Sequence, residues 1–119
     1  MSYRYQAIPT LVEGIWYASK LEARLARLLI EHQVPFEAHA CFDMFDRRGR
    51  PLTHYVDFLL RYPTRFVGVG FAIEALECKG RMTRHDLVRA GALSYFYNVK
   101  CWIVLEPLID MWEREGMMP

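Results

Sequence analysis

Ala75-Leu76-Glu77-Cys78-Lys79-Gly80 is an apolar, strand-like run that carries two charges and stops at a glycine. Tyr55-Val56-Asp57-Phe58-Leu59-Leu60 is a second such run with one charge inside it. Side chains alternate along a strand, so Glu77 and Lys79 share one face and Cys78 points to the other. Charges within apolar strands are costly unless paired or metal-bound. With the two strands adjacent and in register, Asp57 meets Glu77 across the ladder, and two adjacent carboxylates are stable mainly around a divalent cation.

The flanking sequence supplies helices to cover these strands. Leu21, Leu25, Leu28 and Leu29 recur at helical spacing between Lys20 and His32, and Ser19 with Glu22 three residues on reads as a capping box. Val34 to Phe42 reads as a strand, Asp46-Arg47-Arg48-Gly49-Arg50-Pro51 as a hairpin turn, His54 to Leu60 as the returning strand, and Phe71 to Lys79 as a third. Thr83 and Asp86 repeat the cap spacing ahead of a second helix of about three turns. Cys101 to Leu105 is a short buried strand, and Pro107 suits the first turn of a terminal helix. The expected order is α-β-β-β-α-β-α, an α/β fold with a central mixed β-sheet flanked by helices. Residues 1–18, with Pro9 and Gly14 as breakers, are expected to form an arm or short helix.

At 119 residues the chain suits a single domain, 1–119, and leaves no room for separate cofactor and substrate domains. Its 53% apolar and 14% aromatic content is that of a packed globular protein. No apolar stretch approaches the ~20 residues of a membrane span, and the N-terminus lacks a signal-peptide core, so a cytoplasmic protein without membrane contact is expected. Cys41, Cys78 and Cys101 lie in apolar runs and read as buried free thiols. Arg far outnumbers Lys, basic residues predominate from Arg47 to Arg89, and Glu106 to Glu115 is acidic. Arginine suits bidentate phosphate contacts.

A few carboxylates and a lysine on one sheet suit Mg²⁺, with Mn²⁺ as a substitute, and phosphodiester hydrolysis. Lys79 would orient the attacking water or stabilise the transition state. Asp57 followed by Glu77-Cys78-Lys79 resembles the PD-(D/E)XK nuclease motif, and Ser19-Lys20-Leu21-Glu22 is similar to the N-terminal glutamate segment of that superfamily. Val-Asp-Phe-Leu-Leu and Glu-Cys-Lys-Gly resemble the bacteriophage endonuclease I type of Holliday-junction resolvase, and the small size also resembles the archaeal-type resolvases. The match spans roughly residues 19–105, with Val56 where the motif name has proline.

The resemblance implies a restriction-endonuclease-like α-β-β-β-α-β core and a metal held by Asp57, Glu77 and the Cys78 backbone carbonyl. Lys79 would act on the nucleophilic water, and Glu22 would join the site from the helix. It further implies a homodimeric, structure-selective endonuclease resolving four-way DNA junctions in a bacterial or phage-infected cell. Two-fold symmetric cutting of a junction also needs two sites.

Arg81, Arg84 and Arg89 beside the site, and Arg47, Arg48 and Arg50 on the hairpin tip, are the expected DNA contacts. Competing readings are a strand-edge ion pair for Glu77 and Lys79, a plain helix cap for Glu22 and a solvated helix face for the arginines. The four histidines have no mutual metal spacing, and His54 reads as a surface residue. Trp16, Trp102 and Trp112 read as core or interface, and Phe42, Phe45, Tyr95, Tyr97 and Trp112 as candidates for a dimer contact. The rival functions are a restriction- or repair-type duplex nuclease and an inactive DNA-binding scaffold of the same fold.

Overall fold

The computed structural model describes residues 7–119. Strands β1 (Thr10–Val12) and β2 (Ile15–Tyr17) form a small antiparallel hairpin turning at Glu13 and Gly14, both at positive φ. The expected arm or helix over 1–18 is therefore a β-hairpin where it is described, and residues 1–6 lie outside the described residues. Val12 and Tyr17 anchor it in the core, while Trp16 is exposed and belongs to no core.

Helix α1 (Lys20–Glu31) begins as its sequence dictates. The Ser19 hydroxyl accepts the Glu22 N–H at 3.1 Å, and the Glu22 carboxylate accepts the Ala18 N–H at 3.2 Å, one residue upstream of the reciprocal cap contact. Such a cap contributes about 1 kcal/mol. The leucine stripe Leu21, Leu25, Leu28 and Leu29 is buried with Ala23 and Ala26, so one whole face of the helix lies against the sheet.

Strands β3 (Phe36–Phe45) and β4 (Pro51–Thr64) form a long antiparallel ribbon, both reaching beyond the expected limits. Its turn is locked by Asp46, whose Oδ1 accepts the backbone N–H groups of Arg48 (2.8 Å) and Arg50 (2.9 Å). Gly49 supplies the positive φ that the turn requires. Between the pairs Ala38↔Phe58 and Ala40↔Val56, His39 takes the left-handed conformation at φ 56°. The inward side chains change partners there. Phe36, Ala38, Phe58 and Leu60 pack into the α1 core, whereas Ala40, Phe42, Met44, Leu52 and Val56 pack into a second core on the opposite face. A bulge-like residue that reverses which face its neighbours present explains the switch. The strain costs roughly 1–2 kcal/mol in a residue other than glycine.

Strand β5 (Ile73–Cys78) pairs antiparallel with β4 through Phe58↔Leu76 and Leu59↔Ala75, and parallel with β6 (Cys101–Val104). The sheet order is β3-β4-β5-β6. A parallel pair needs a crossover, which helix α2 (Arg84–Tyr97) supplies. Thr83 and Asp86 form the expected reciprocal capping box at its start. Beyond its cap α2 buries little besides Leu93, which joins the second core.

Helix α3 (Glu106–Glu115), with Pro107 in its first turn, lies beside α1. Arg24 of α1 reaches Glu106 (3.0 Å), Asp110 and Glu113 (2.6 Å), which uses the acidic C-terminal stretch within the fold. The Trp112 indole N–H donates to the Val67 carbonyl at 2.8 Å. Gly68, at φ 83°, lies so close to Met111 and Leu108 that a Cβ would fall 3.3 Å from the Met111 methyl.

The chain is thus an α/β protein, a mixed four-stranded sheet flanked by three helices. Among the described residues no helix is long and apolar enough to cross a membrane. Of the cysteines expected to be buried, Cys78 is buried, Cys101 is half-buried and Cys41 is exposed.

Candidate active site

Glu22, Asp57 and Glu77 come from three elements, α1, β4 and β5; Glu22 adjoins Asp57 on the α1 side of the sheet, whereas Glu77 points with His54 toward the second core. Glu22 is placed by its own helix cap and is 8% exposed. Asp57 is placed by β5, since its Oδ2 accepts the Cys78 N–H at 2.7 Å. Glu77 is 1% exposed, with Oε1 2.7 Å from Nε2 of His54. That contact is short but poorly aligned for a hydrogen bond, and Glu77 Oε2 has no partner among the described residues.

The electrostatics follow from this crowding. Burial first, and then the negative charge of Glu22, push the Asp57 carboxyl up to about 8. Glu77 adds a smaller push, and the Cys78 N–H opposes the rise without reversing it. Glu22 and Asp57 are close enough for their carboxyls to share a hydrogen bond. Burial, then Asp57 and Glu22, raise the Cys78 thiol as well. Its side chain lies in the α1 core, so only the Cys78 backbone is available to the site.

Lys79 takes a different direction from the carboxylates. Its Nζ lies 3.6 Å from Oδ1 of Asp86 at the start of α2. Burial works against ionisation of Asp86, but the Thr83 N–H and hydroxyl together with Lys79 outweigh it and hold that carboxyl below its ordinary value. Of the four expected catalytic residues, Glu22 and Asp57 are brought together, Glu77 lies beyond them with His54, and Lys79 is held by the α2 cap.

Two histidines border the carboxylates, and neither was assigned a role from sequence. His54, expected at the surface, is 7% exposed. The signal was its spacing from Leu52 and Val56, which places all three on one face of β4. His39 has Nε2 3.6 Å from Glu22 Oε2, and its ring centroid lies 5.7 Å from that of Tyr17. The Tyr17 hydroxyl is buried without a partner among the described residues.

No protein family, curated protein or solved structure is matched by the chain.

Among the described residues no three His, Cys, Asp or Glu side chains are gathered as a ready metal cage. A hard cation such as Mg²⁺ does not require one, because it is commonly held by one or two carboxylates with water and substrate phosphates filling the remaining positions. A partnerless buried Glu77 oxygen, and an Asp57 carboxyl whose proton burial and Glu22 retain in the absence of a cation, would both be served by such an ion.

The expected nucleic-acid contacts divide into two groups. Arg81, Arg84 and the half-buried Arg89 lie on or just before α2, next to Lys79 in the chain. Arg47 and Arg48 are exposed on the hairpin turn, but Arg50 is paired with Asp46 at 2.9 Å and serves the turn. Between the two groups runs an open groove of about 710 Å³, with Arg47 and Arg84 on its walls and Phe45, Leu87, Tyr95 and Phe96 among its lining residues. Trp112, one of the candidate interface residues, is instead in the core.

Proposed function

We propose that the chain is a divalent-metal-dependent endonuclease of the restriction-endonuclease-like class that cuts branched DNA, resolving four-way junctions by phosphodiester hydrolysis. The observation that carries this reading is the buried juxtaposition of Asp57 with Glu22, with Glu77 farther off, in which burial and then the Glu22 charge push the Asp57 carboxyl up to about 8. Carboxylates placed there repel a phosphodiester unless a cation intervenes. Further support comes from the sheet, whose antiparallel β3-β4-β5 meander followed by a parallel β6 has the order that the sequence motif implies.

Asp57 and Glu77 would hold the Mg²⁺ or Mn²⁺, with the Cys78 carbonyl beside them. Such an ion neutralises charge building on the phosphate and eases deprotonation of a water. Glu22, fixed by its cap, keeps Asp57 in place and adds to the negative field that selects a divalent ion. Lys79 supplies the nearby positive charge, drawn back toward Asp86 until substrate competes for it. Arg47, Arg48, Arg81, Arg84 and Arg89 would grip the phosphates on either side. The setting proposed is the cytoplasm of a bacterial or phage-infected cell.

A two-fold junction calls for two copies, and the groove between the hairpin and α2 offers the surface for a second copy. Phe45, Leu87, Tyr95 and Phe96 are 44 to 82% exposed there. Val88, also exposed, lines the same groove, and a stable interface takes about 800 Å² from each partner. Gly91 in mid-helix has open space where a Cβ would be, which permits close approach of another helix. Tyr95→Asp and Leu87→Asp change exposed residues and are expected to convert a dimer into a folded monomer in sedimentation equilibrium. A wild-type protein that sediments as a monomer at tens of micromolar would remove this surface as the dimer contact.

The test of function is incubation of the purified protein with a labelled four-way junction and a matched linear duplex, in Mg²⁺, Mn²⁺ or EDTA. Paired nicks in the junction alone, dependent on metal, are expected. Equal cutting of both substrates would replace junction resolution by a restriction- or repair-type activity. Tight, salt-sensitive binding with no product under either metal would leave an inactive scaffold.

A further inference from the structure

A residue with a left-handed backbone beside Glu22 has no role in the reading above. His39 is one of four residues other than glycine with positive φ among the described residues. Two of the others belong to ordinary boundaries: Gln33 follows the end of α1 and Asn98 caps α2. Glu13 sits in the tip of the β1–β2 hairpin. His39 alone lies in the middle of a long strand, opposite Asp57, at the point where the ribbon changes faces. Strain of this kind persists only where the surroundings over-determine it, and bulges beside active sites re-aim side chains.

What the strain achieves is visible in the contacts. The imidazole is carried over the Tyr17 ring, with Nε2 facing the Glu22 carboxylate at 3.6 Å. Its side chain is 39% exposed, whereas that of Glu22 is 10% exposed. The imidazole thus lies nearer solvent than the carboxylate. Lys79 is drawn toward Asp86. On the α1 side of the site, His39 is an exposed side-chain donor adjoining Glu22.

We propose that His39 is a substrate-contacting residue of this site, its ring N–H binding a non-bridging oxygen of the phosphodiester brought against Glu22 and Asp57. The inference rests on the phosphodiesterase reading and adds a group to it. The ring N–H on the side away from Glu22 makes the contact, and the Glu22 carboxylate orients the ring through Nε2. Donors aimed at the phosphoryl oxygens lower the barrier most if they are already in place, which a strained backbone and a stacked tyrosine ensure.

Two replacements separate this role from a packing role. His39→Gly removes the ring and relieves the positive φ, and His39→Asn keeps a residue that tolerates that conformation. The measurements are melting temperature, affinity for the four-way junction in Ca²⁺, and the single-turnover cleavage rate in Mg²⁺. The glycine variant is expected to melt at or above the wild-type temperature and to bind the junction within about threefold. Its cleavage rate should fall by about 10²-fold. Free imidazole should restore part of that rate in His39→Gly and none in Asp57→Asn.

Wild-type rates in both His39 variants would overturn the inference and leave the nuclease reading standing. A glycine variant that melts lower, loses activity in step with its stability and ignores imidazole would make His39 a packing residue. A wild-type protein that cuts no DNA in Mg²⁺ or Mn²⁺ would overturn the nuclease reading and this inference together.

Discussion

Asp57→Asn is expected to reduce metal-dependent cleavage by at least about 10³-fold while making the protein more stable at neutral and alkaline pH. The loss follows from removing a charged oxygen that a divalent ion would need, an interaction that contributes several kcal/mol in a phosphoryl transition state. The gain follows from Asp57 itself. Its carboxyl sits near 3.8 when unperturbed and is pushed up to about 8 in the fold, by burial first and by Glu22 next. Between those values the folded protein holds a proton that the unfolded chain has released. Stability from this group is therefore fully present below about 4 and is lost as pH rises through about 8.

Asparagine carries no charge at any of these values, and its side-chain oxygen can still accept the Cys78 N–H. In melting experiments without metal, the wild-type Tm should fall from pH 5 to pH 8, with the part due to Asp57 missing in Asp57→Asn. Mg²⁺ should raise the wild-type Tm at pH 8 far more than at pH 5, because at the lower pH the ion must displace a proton. Asp57→Asn should respond weakly to Mg²⁺ at both. Near wild-type cutting by this variant would remove Asp57 from the site, and an undiminished Mg²⁺ effect on its Tm would move the ion elsewhere.

Glu22 shows why sequence reading reached some of this site. A glutamate three residues after Ser19 has a complete local explanation as a helix cap, and the structure bears that explanation out. The same geometry buries the carboxylate and turns it toward Asp57. The cap and the candidate site are one arrangement, so a residue with a complete local explanation also faces Asp57. Thr83 and Asp86 behave likewise, since the cap that starts α2 also engages Lys79. Capping spacings, leucine periodicity and the apolar strand runs are short-range features, and they yielded the order of helices and sheet strands from α1 onward.

The features that escaped depend on long-range geometry. Nothing local marks His39 as left-handed, because the need for it arises only when β3 pairs with β4 and the ribbon must serve two cores. His54 was read as a surface residue, yet it is buried beside Glu77, which comes from a strand later in the chain. The β1–β2 hairpin was missed because three-residue strands leave no period to read, and its glutamate-glycine turn is weaker than the usual turn pairs. Helix α2 carries an apolar face that its own fold leaves exposed, so its sequence resembled an ordinary core helix.

Trp112→Ala is expected to lower stability by about 3–5 kcal/mol, the usual cost of removing a buried large aromatic. That is a large part of the 5–15 kcal/mol typical of a domain. The indole is 1% exposed, lies 5.4 Å from the Phe66 ring, and donates its N–H to the Val67 carbonyl. Val67 in turn donates its N–H to the Met117 carbonyl, so α3 and the chain after it hold the loop between β4 and β5 from two directions. That loop joins the strand of Asp57 to the strand of Glu77 across an irregular stretch of pairing. Trp112→Phe keeps most of the volume and leaves the Val67 carbonyl without its donor, so a smaller loss of about 1–3 kcal/mol is expected. Urea unfolding measures both, and a loss under 1 kcal/mol for the alanine variant would mean that the loop is held by other contacts. Activity separates this effect from chemistry. Cleavage by Trp112→Ala should recover on cooling to temperatures at which it is folded, whereas Asp57→Asn stays inactive however stable it becomes.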